Sequence, residues 1–194
     1  MKFTNVDQFL AYHCAPALAG IKPSNIIFVK KSDVPELRSR ITELNHLLNS
    51  KNIHLEILRE CESRIVLMVY RKDVLEKHLC KSELREFLIS YGYSESFCLE
   101  DDISHLKETL KEDCFPHEIG VFLGYPLCDI IGYINKQECL HTGDWKVYAN
   151  VEESKALFER FRACRKATCK RVNCGCCLAQ IFSPSTYSEH IKSA

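Results

Sequence analysis

Short apolar segments alternate with amphipathic helical patterns along this chain, and this alternation limits the fold more than any other feature. Segments rich in apolar residues at 26–29, 53–58, 65–70 and 145–149 are typical of strands. The second and third are joined by six residues, five of them polar or charged, which indicates a hairpin or a tight sheet edge. Helical spacing of apolar residues fills the intervals, at residues 34–49, 73–91 with a break near 80–82, 101–112 and 152–170.

This order predicts an α/β or α+β fold, with a small mixed sheet and flanking helices. No linker, repeat or low-complexity tract divides the 194 residues. We therefore expect a single domain over residues 1–177, followed by a short last strand and a loose tail over residues 178–194. The length suits one domain.

Charge and hydropathy restrict the partners. The 26 basic and 26 acidic side chains cancel, which argues against a nucleic-acid partner, because such proteins usually carry a basic excess. No stretch approaches the ~18 apolar residues of a membrane span. The first residues contain one cation and no long apolar run, unlike a signal peptide. We expect a cytoplasmic protein without membrane contact and of undetermined oligomeric state.

Cys14 is the first candidate for chemistry. It lies two residues before Pro16, in a short segment that ends at Gly20. Proline favours the first turn of a helix, so Cys14 is predicted at a helix N-terminus, where the dipole stabilises a thiolate. The alternative is that Thr4 caps an earlier helix and Cys14 is a buried apolar side chain at a proline kink.

His117 and Asp129 are the predicted partners of Cys14. The chain order Cys, His, Asp occurs in papain-like cysteine enzymes, in which the imidazole accepts the thiol proton and the carboxylate orients the ring. The resulting hypothesis is acyl transfer, by an amide or thioester hydrolase or an amide synthase. Its substrate would be a small-molecule or carrier-protein-bound acyl group, and no cofactor is required.

Three further residues are assigned to the same site. Asn25, together with backbone N–H groups near Cys14, is the candidate oxyanion donor. His13 is a competing base, although neighbouring side chains on a helix diverge. Arg71 is a candidate substrate-binding cation, and a solvated strand end is its structural alternative.

Residues 116–134 also match a helical hairpin. Pro116 and Pro126 suit first helical positions and Gly124 suits a turn, as in a helix-turn-helix. The second helix contains no Lys or Arg before Lys136, whereas a reader of DNA needs cations for phosphates and bases. This segment therefore favours a non-enzymatic binding or regulatory module over a DNA-binding one.

The chain contains twelve cysteines, and the last ones are spaced like metal ligands. Cys169, Cys174 and Cys177 match the C-x4-C-x2-C spacing of an iron–sulfur loop, and thiolates also hold structural zinc. The alternative is a cysteine-rich helix end with free thiols. Sequence does not distinguish the two.

Several unusual segments together resemble one family. They are residues 13–16 (His-Cys-Ala-Pro), 69–71 (Val-Tyr-Arg), 115–126 (Phe-Pro-His-Glu-Ile-Gly to Gly-Tyr-Pro) with the following Asp129, and 145–148 (Trp-Lys-Val-Tyr). The chain resembles an anaerobe-rich Firmicute family known as domain of unknown function 3793. The resemblance implies no reaction, although its segments include Cys14, His117 and Asp129. The C-terminal cysteines are not part of its pattern.

Overall fold

A computed structural model describes residues 3–111 and 116–182, and its centre is a three-stranded antiparallel sheet. The strands are β1 (Ser24–Lys30), β2 (Ile53–Glu60) and β3 (Arg64–Arg71), in the order β1-β3-β2. The predicted α/β domain with a small sheet and flanking helices is confirmed. Both strand pairs are antiparallel, and the β2–β3 register shifts between Ile57 and Arg59.

Nine α-helices, a short 3₁₀ helix (Asn49–Lys51) and a two-stranded hairpin complete the described residues. The helices are α1 (Val6–Leu18), α2 (Leu37–Leu48), α3 (Lys72–Leu79), α4 (Ser82–Ile89), α5 (Leu99–Thr109), α6 (Ile119–Phe122), α7 (Leu127–Ile134), α8 (Val151–Asn173) and α9 (Leu178–Phe182). The hairpin strands are β4 (His141–Thr142) and β5 (Lys146–Val147). No helix in the described ranges is long and apolar enough to cross a bilayer.

β3 is buried on both of its faces and separates two cores. Its odd-numbered residues, such as Leu67, pack with apolar side chains of α1, α2, α8 and α9. Its even-numbered residues, such as Met68, pack with α3 to α7. Side chains alternate across a strand, so a continuous apolar run serves both faces. The sheet thus lies between two helical layers.

The predicted last strand is wrong. Residues 178–182 form α9, in which Leu178 and Ala179 are fully buried in the first core. The domain therefore continues past residue 177. The tail predicted for the final residues lies, from residue 183 onward, outside the described part of the chain.

α9 is held by a buried carboxylate on the first helix. Asp7 accepts two hydrogen bonds from the Arg40 guanidinium, at 2.7 and 2.8 Å, and a third, at 2.8 Å, from the backbone N–H of Leu178. Burying a carboxylate is costly unless such donors satisfy it. Asp7 therefore ties α1, α2 and α9 together.

Replacing this carboxylate should destabilise the fold. Asp7→Ala leaves the Leu178 N–H without its acceptor and removes a buried ion-pair partner, so we expect the free energy of unfolding to fall by about 3 kcal/mol. Urea denaturation followed by circular dichroism measures it. Glu43→Ala, which removes the exposed second partner of Arg40, is the matched control and should cost under about 1 kcal/mol. Equal losses in the two variants would contradict the assigned role of Asp7.

Candidate functional site

The helical hairpin predicted at residues 116–134 is present as α6 and α7. Two glycines allow its tight turn. A Cβ on Gly120 would lie 3.0 Å from the Ile130 side chain, so this glycine lets the two helices approach. Gly124 has a φ of +71° and packs on Pro23. The left-handed conformation favours glycine at this turn.

Asp129 fixes the hairpin to the loop that follows it. One carboxylate oxygen accepts from the indole Nε1 of Trp145, at 2.8 Å. The other accepts from the backbone N–H groups of Tyr148, at 2.7 Å, and Ala149, at 3.1 Å. Only 2% of Asp129 is exposed, and charge-assisted bonds of this kind are strong. The carboxylate therefore acts as an internal clamp between α7 and residues 145–149.

A cavity of about 310 Å³ lies beside this clamp. Its lining is mainly apolar and aromatic, which is typical of small-molecule sites. The lining residues are Pro116, His117, Ile119, Gly120, Leu123, Tyr125, Asp129, Ile130, Tyr133, Trp145 and Lys146.

The cavity has an aromatic wall and a polar rim. Trp145 stacks on Tyr125 with ring centroids 4.9 Å apart, and this pair forms the wall. At the rim, the His117 ring meets Tyr133 edge-on at 5.7 Å, and Lys146 Nζ lies 5.7 Å from the centroid of the same tyrosine ring. All three rim residues are exposed. Because the Asp129 charge is satisfied by donors, Lys146 is the charged lining residue that has no ion-pair or hydrogen-bond partner among the described residues.

Cys14 lies elsewhere, and its predicted position at a helix N-terminus is wrong. It is inside α1, which begins at Val6 with Asn5 as its cap and continues through Pro16. Its side chain is fully buried in the first core. Burial raises the pKa of the Cys14 thiol to about 12, so the thiolate is disfavoured at neutral pH. The alternative of a buried apolar cysteine describes this site.

The structure does not bring Cys14, His117 and Asp129 together. α1 packs on one face of the sheet, whereas α6 and α7 pack on the other. Asp129 bonds to Trp145 and to backbone N–H groups, and in the described part of the chain no hydrogen bond joins it to His117. Acyl transfer therefore stays a prediction without geometric support.

The surroundings of the other three residues assigned to the acyl-transfer site indicate structural roles. Arg71 donates from Nε to the Leu18 carbonyl, at 2.9 Å, and so caps the end of α1. His13 is half-buried against the rings of Phe3 and Phe9, and burial lowers its pKa. Asn25 lies in β1, where its buried side-chain oxygen has no hydrogen-bond partner among the described residues.

The predicted metal ligands are also not assembled. Cys169 and Cys177 pack against the first core, while Cys174 is exposed at the end of α8. Among residues 3–111 and 116–182, no group of three or more His, Cys, Asp or Glu side chains is placed to hold a metal. The described cysteines are free thiols.

Lys22 lies behind the aromatic wall and is 7% exposed. Its Nζ is 5.5 Å from the centroid of Tyr125 and 5.9 Å from that of Phe161. Within the described ranges no acceptor hydrogen-bonds this ammonium. Burial lowers its pKa from an ordinary value of 10.5 to about 8, and the cation–π contacts offset only part of that cost.

Tyr133 and Lys146 are pocket residues to which sequence reasoning assigned no ligand-binding role. Tyr133 lies in a short apolar helix, and only the structure shows that its side chain is exposed. Lys146 is one residue after Trp145, within residues 145–148, and alternation along β5 turns it outward. Their meeting with His117 depends on tertiary structure.

Comparison with known proteins identifies one family. A family model described as Protein of unknown function (DUF3793) matches residues 10–182, which is most of the chain. No curated protein and no solved structure shows a significant match.

Alkylation rates distinguish a buried Cys14 from an activated one. Cys61 is the control, because it is exposed and hydrogen bonds from the backbone of Ser63 and Arg64 lower its pKa. We expect iodoacetamide at pH 8 to label Cys14 on the order of 10³-fold more slowly than Cys61, measured by peptide mass spectrometry. Labelling of Cys14 as fast as Cys61 would show an accessible thiolate and revive the acyl-transfer hypothesis.

Stability should depend on pH through Lys22. The folded protein holds this proton less tightly than the unfolded chain, so unfolding takes up a proton between pH 8 and about 10.5, and the Lys22 contribution to stability rises with pH across that window. Lys22→Met should raise the free energy of unfolding at pH 7 by roughly 2 kcal/mol, a gain that shrinks by pH 10.

Urea denaturation of both proteins with a reductant from pH 7 to 10 measures this difference. Lys77→Met, at an exposed lysine on α3, is the control and should show no such trend. A pH-independent gain in Lys22→Met would mean that the ammonium is not destabilised by burial.

Proposed function

The chain belongs to this family of proteins of unknown function, and we propose that it is a non-enzymatic binding module whose pocket takes a small organic anion with a flat apolar body. One observation supports this most. Nine of the eleven residues lining the cavity belong to the segments by which the chain resembles its family, namely residues 115–126, Asp129 and residues 145–148. Those segments are far apart in sequence and meet at the pocket.

The chemistry of the lining defines the ligand class. The wall of Trp145 and Tyr125 offers a flat aromatic surface, and Leu123 and Ile130 add apolar contacts. Such surfaces favour aromatic or branched bodies. The Lys146 ammonium at the rim favours an anionic group, and the His117 ring lies beside it as a further nitrogen donor. A carboxylate attached to a ring or branched chain satisfies both requirements.

The clamp suits binding better than acid–base chemistry. Asp129 is carried by α7 and its three donors all belong to residues 145–149, so this carboxylate gives rigidity to the pocket. A pre-formed site loses less conformational entropy when a ligand binds. α7 has no cation over Leu127–Ile134, so we do not extend the proposal to DNA recognition by the hairpin.

Trp145 makes the proposal directly measurable, since it is the only tryptophan of the chain and it lines the cavity. We expect aromatic or branched carboxylates to shift its fluorescence emission saturably, and their neutral amides to bind more weakly. Lys146→Gln should weaken carboxylate binding about 10-fold, equivalent to about 1.4 kcal/mol, and leave amide binding unchanged.

Lys136→Gln is the matched control, because Lys136 is an exposed lysine just after α7 that does not line the cavity. Its carboxylate affinity should equal that of the parent protein. The proposal fails if no compound of either class perturbs Trp145, or if Lys146→Gln and Lys136→Gln bind the carboxylates equally.

A further inference from the structure

The C-terminal half of α8 concentrates positive charge. Residues 160–171 contain six Lys or Arg side chains and no Asp or Glu. The rest of the chain holds the other 20 of its 26 cations against all 26 acids. The neutral total that argued against a polyanionic partner thus hides a strongly polarised distribution, and such asymmetry is a signal for nucleic-acid or membrane contact.

The cations face solvent on a rigid element. Arg160, Arg162, Lys166, Lys170 and Arg171 are exposed, whereas Phe161, Thr168 and Val172 on the opposite side are buried. α8 packs along α1 through that buried side. The basic side chains are therefore displayed by a helix whose position in the domain is fixed. We call the exposed side of α8 over residues 160–171 the basic face.

Most of the basic face is not neutralised within the domain. Arg162 pairs with Glu159, and Arg165 pairs with Asp144 across to the β4–β5 hairpin. In residues 3–111 and 116–182, no ion pair engages Arg160, Lys166, Lys170 or Arg171. Cations in a last helical turn stabilise the helix dipole, which accounts for Lys170 and Arg171. It does not account for Arg160, Arg162 and Lys166.

The surroundings of these cations identify the kind of partner. The exposed positions between them include Ala163 and Ala167, and no large exposed apolar side chain lies on α8. A membrane-surface helix needs bulky apolar residues to insert, and a protein interface usually has an apolar centre. The kind of partner that remains is one that presents regularly spaced anions. Arg162, Lys166 and Lys170 follow each other at four-residue steps over about 12 Å, a length that matches three to four phosphates of one duplex strand.

We propose that the basic face of α8 docks on the phosphate backbone of duplex nucleic acid, without sequence preference. The contact is electrostatic, since Arg and Lys displace the counterions condensed on the duplex. It is independent of the pocket ligand, because the basic face shares no residue with the cavity lining.

The test uses fluorescence anisotropy with the full chain and labelled 24-base-pair DNA and RNA duplexes. With about four phosphate contacts, the affinity should fall roughly 100-fold between 50 and 200 mM KCl. Lys166→Gln with Lys170→Gln should weaken binding 10- to 100-fold and reduce the salt slope by about two. Glutamine keeps helix propensity, and thermal unfolding checks the fold.

Lys77→Gln with Lys81→Gln is the matched control, an exposed lysine pair at the same four-residue spacing on the other face of the domain. Unchanged duplex binding in this control, together with loss in the α8 pair, supports the proposal, and preference for DNA or RNA identifies the duplex. No duplex binding at 50 mM KCl, equal losses in both pairs, or binding only to phosphatidylserine vesicles would overturn it.

Discussion

The burial of β3 on both faces is the constraint on which the rest of this structure depends. A strand covered on one side can alternate apolar and polar residues, but residues 65–70 are buried without exception. Each face then requires its own helical layer, and the domain divides into two cores that share one strand. An antiparallel sheet enclosed on both sides is less common than one with a solvated face. A smaller third cluster of Trp145, Val147, Phe158 and Phe161 lies outside these two cores, at the β4–β5 hairpin and α8.

The pocket depends on the buried Asp129 carboxylate, which is hydrogen-bonded at the edge of the helical layer formed by α3 to α7. The short helices α6 and α7 have few residues with which to hold a fixed orientation. Asp129 supplies the missing constraint through three hydrogen bonds to residues 145–149. Trp145 is thereby held with its ring against Tyr125 and its edge against Phe158. The aromatic wall is therefore a consequence of one carboxylate, whose burial costs little only while all its donors remain in place.

Much of the fold follows from local pattern. The strands around β3, the break between α3 and α4, and the hairpin of α6 and α7 were predictable because apolar periodicity and the glycines act over a few residues. Cys14 was not, because Pro16 is tolerated within the last turn of α1 and the cap lies eleven residues before it, at Asn5. α9 was missed since a five-residue segment with four apolar side chains suits a strand or a helix equally, and tertiary contact with Asp7 decides between them.

Prediction of the site from sequence was limited in the same way, and more severely. Chain order suggested a triad from Cys14, His117 and Asp129, but order says nothing of which side of a sheet a residue occupies. The Asp129 carboxylate is equally able to orient an imidazole or to bind an indole and two amides, and only the fold selects the second set of donors. The total charge has a related limit as a guide to partners, since a sum over the chain removes the position of each charge. The positions of the cations along α8 show that the charge is concentrated there.

The contact between Asp7 and the N–H of Leu178 joins the first helix of the described chain to the last. This hydrogen bond joins residues 171 positions apart in sequence, and it closes the domain noncovalently into a ring. Fraying of α9 removes one of the three donors that hold this carboxylate, so local opening at the two ends of the described chain is coupled.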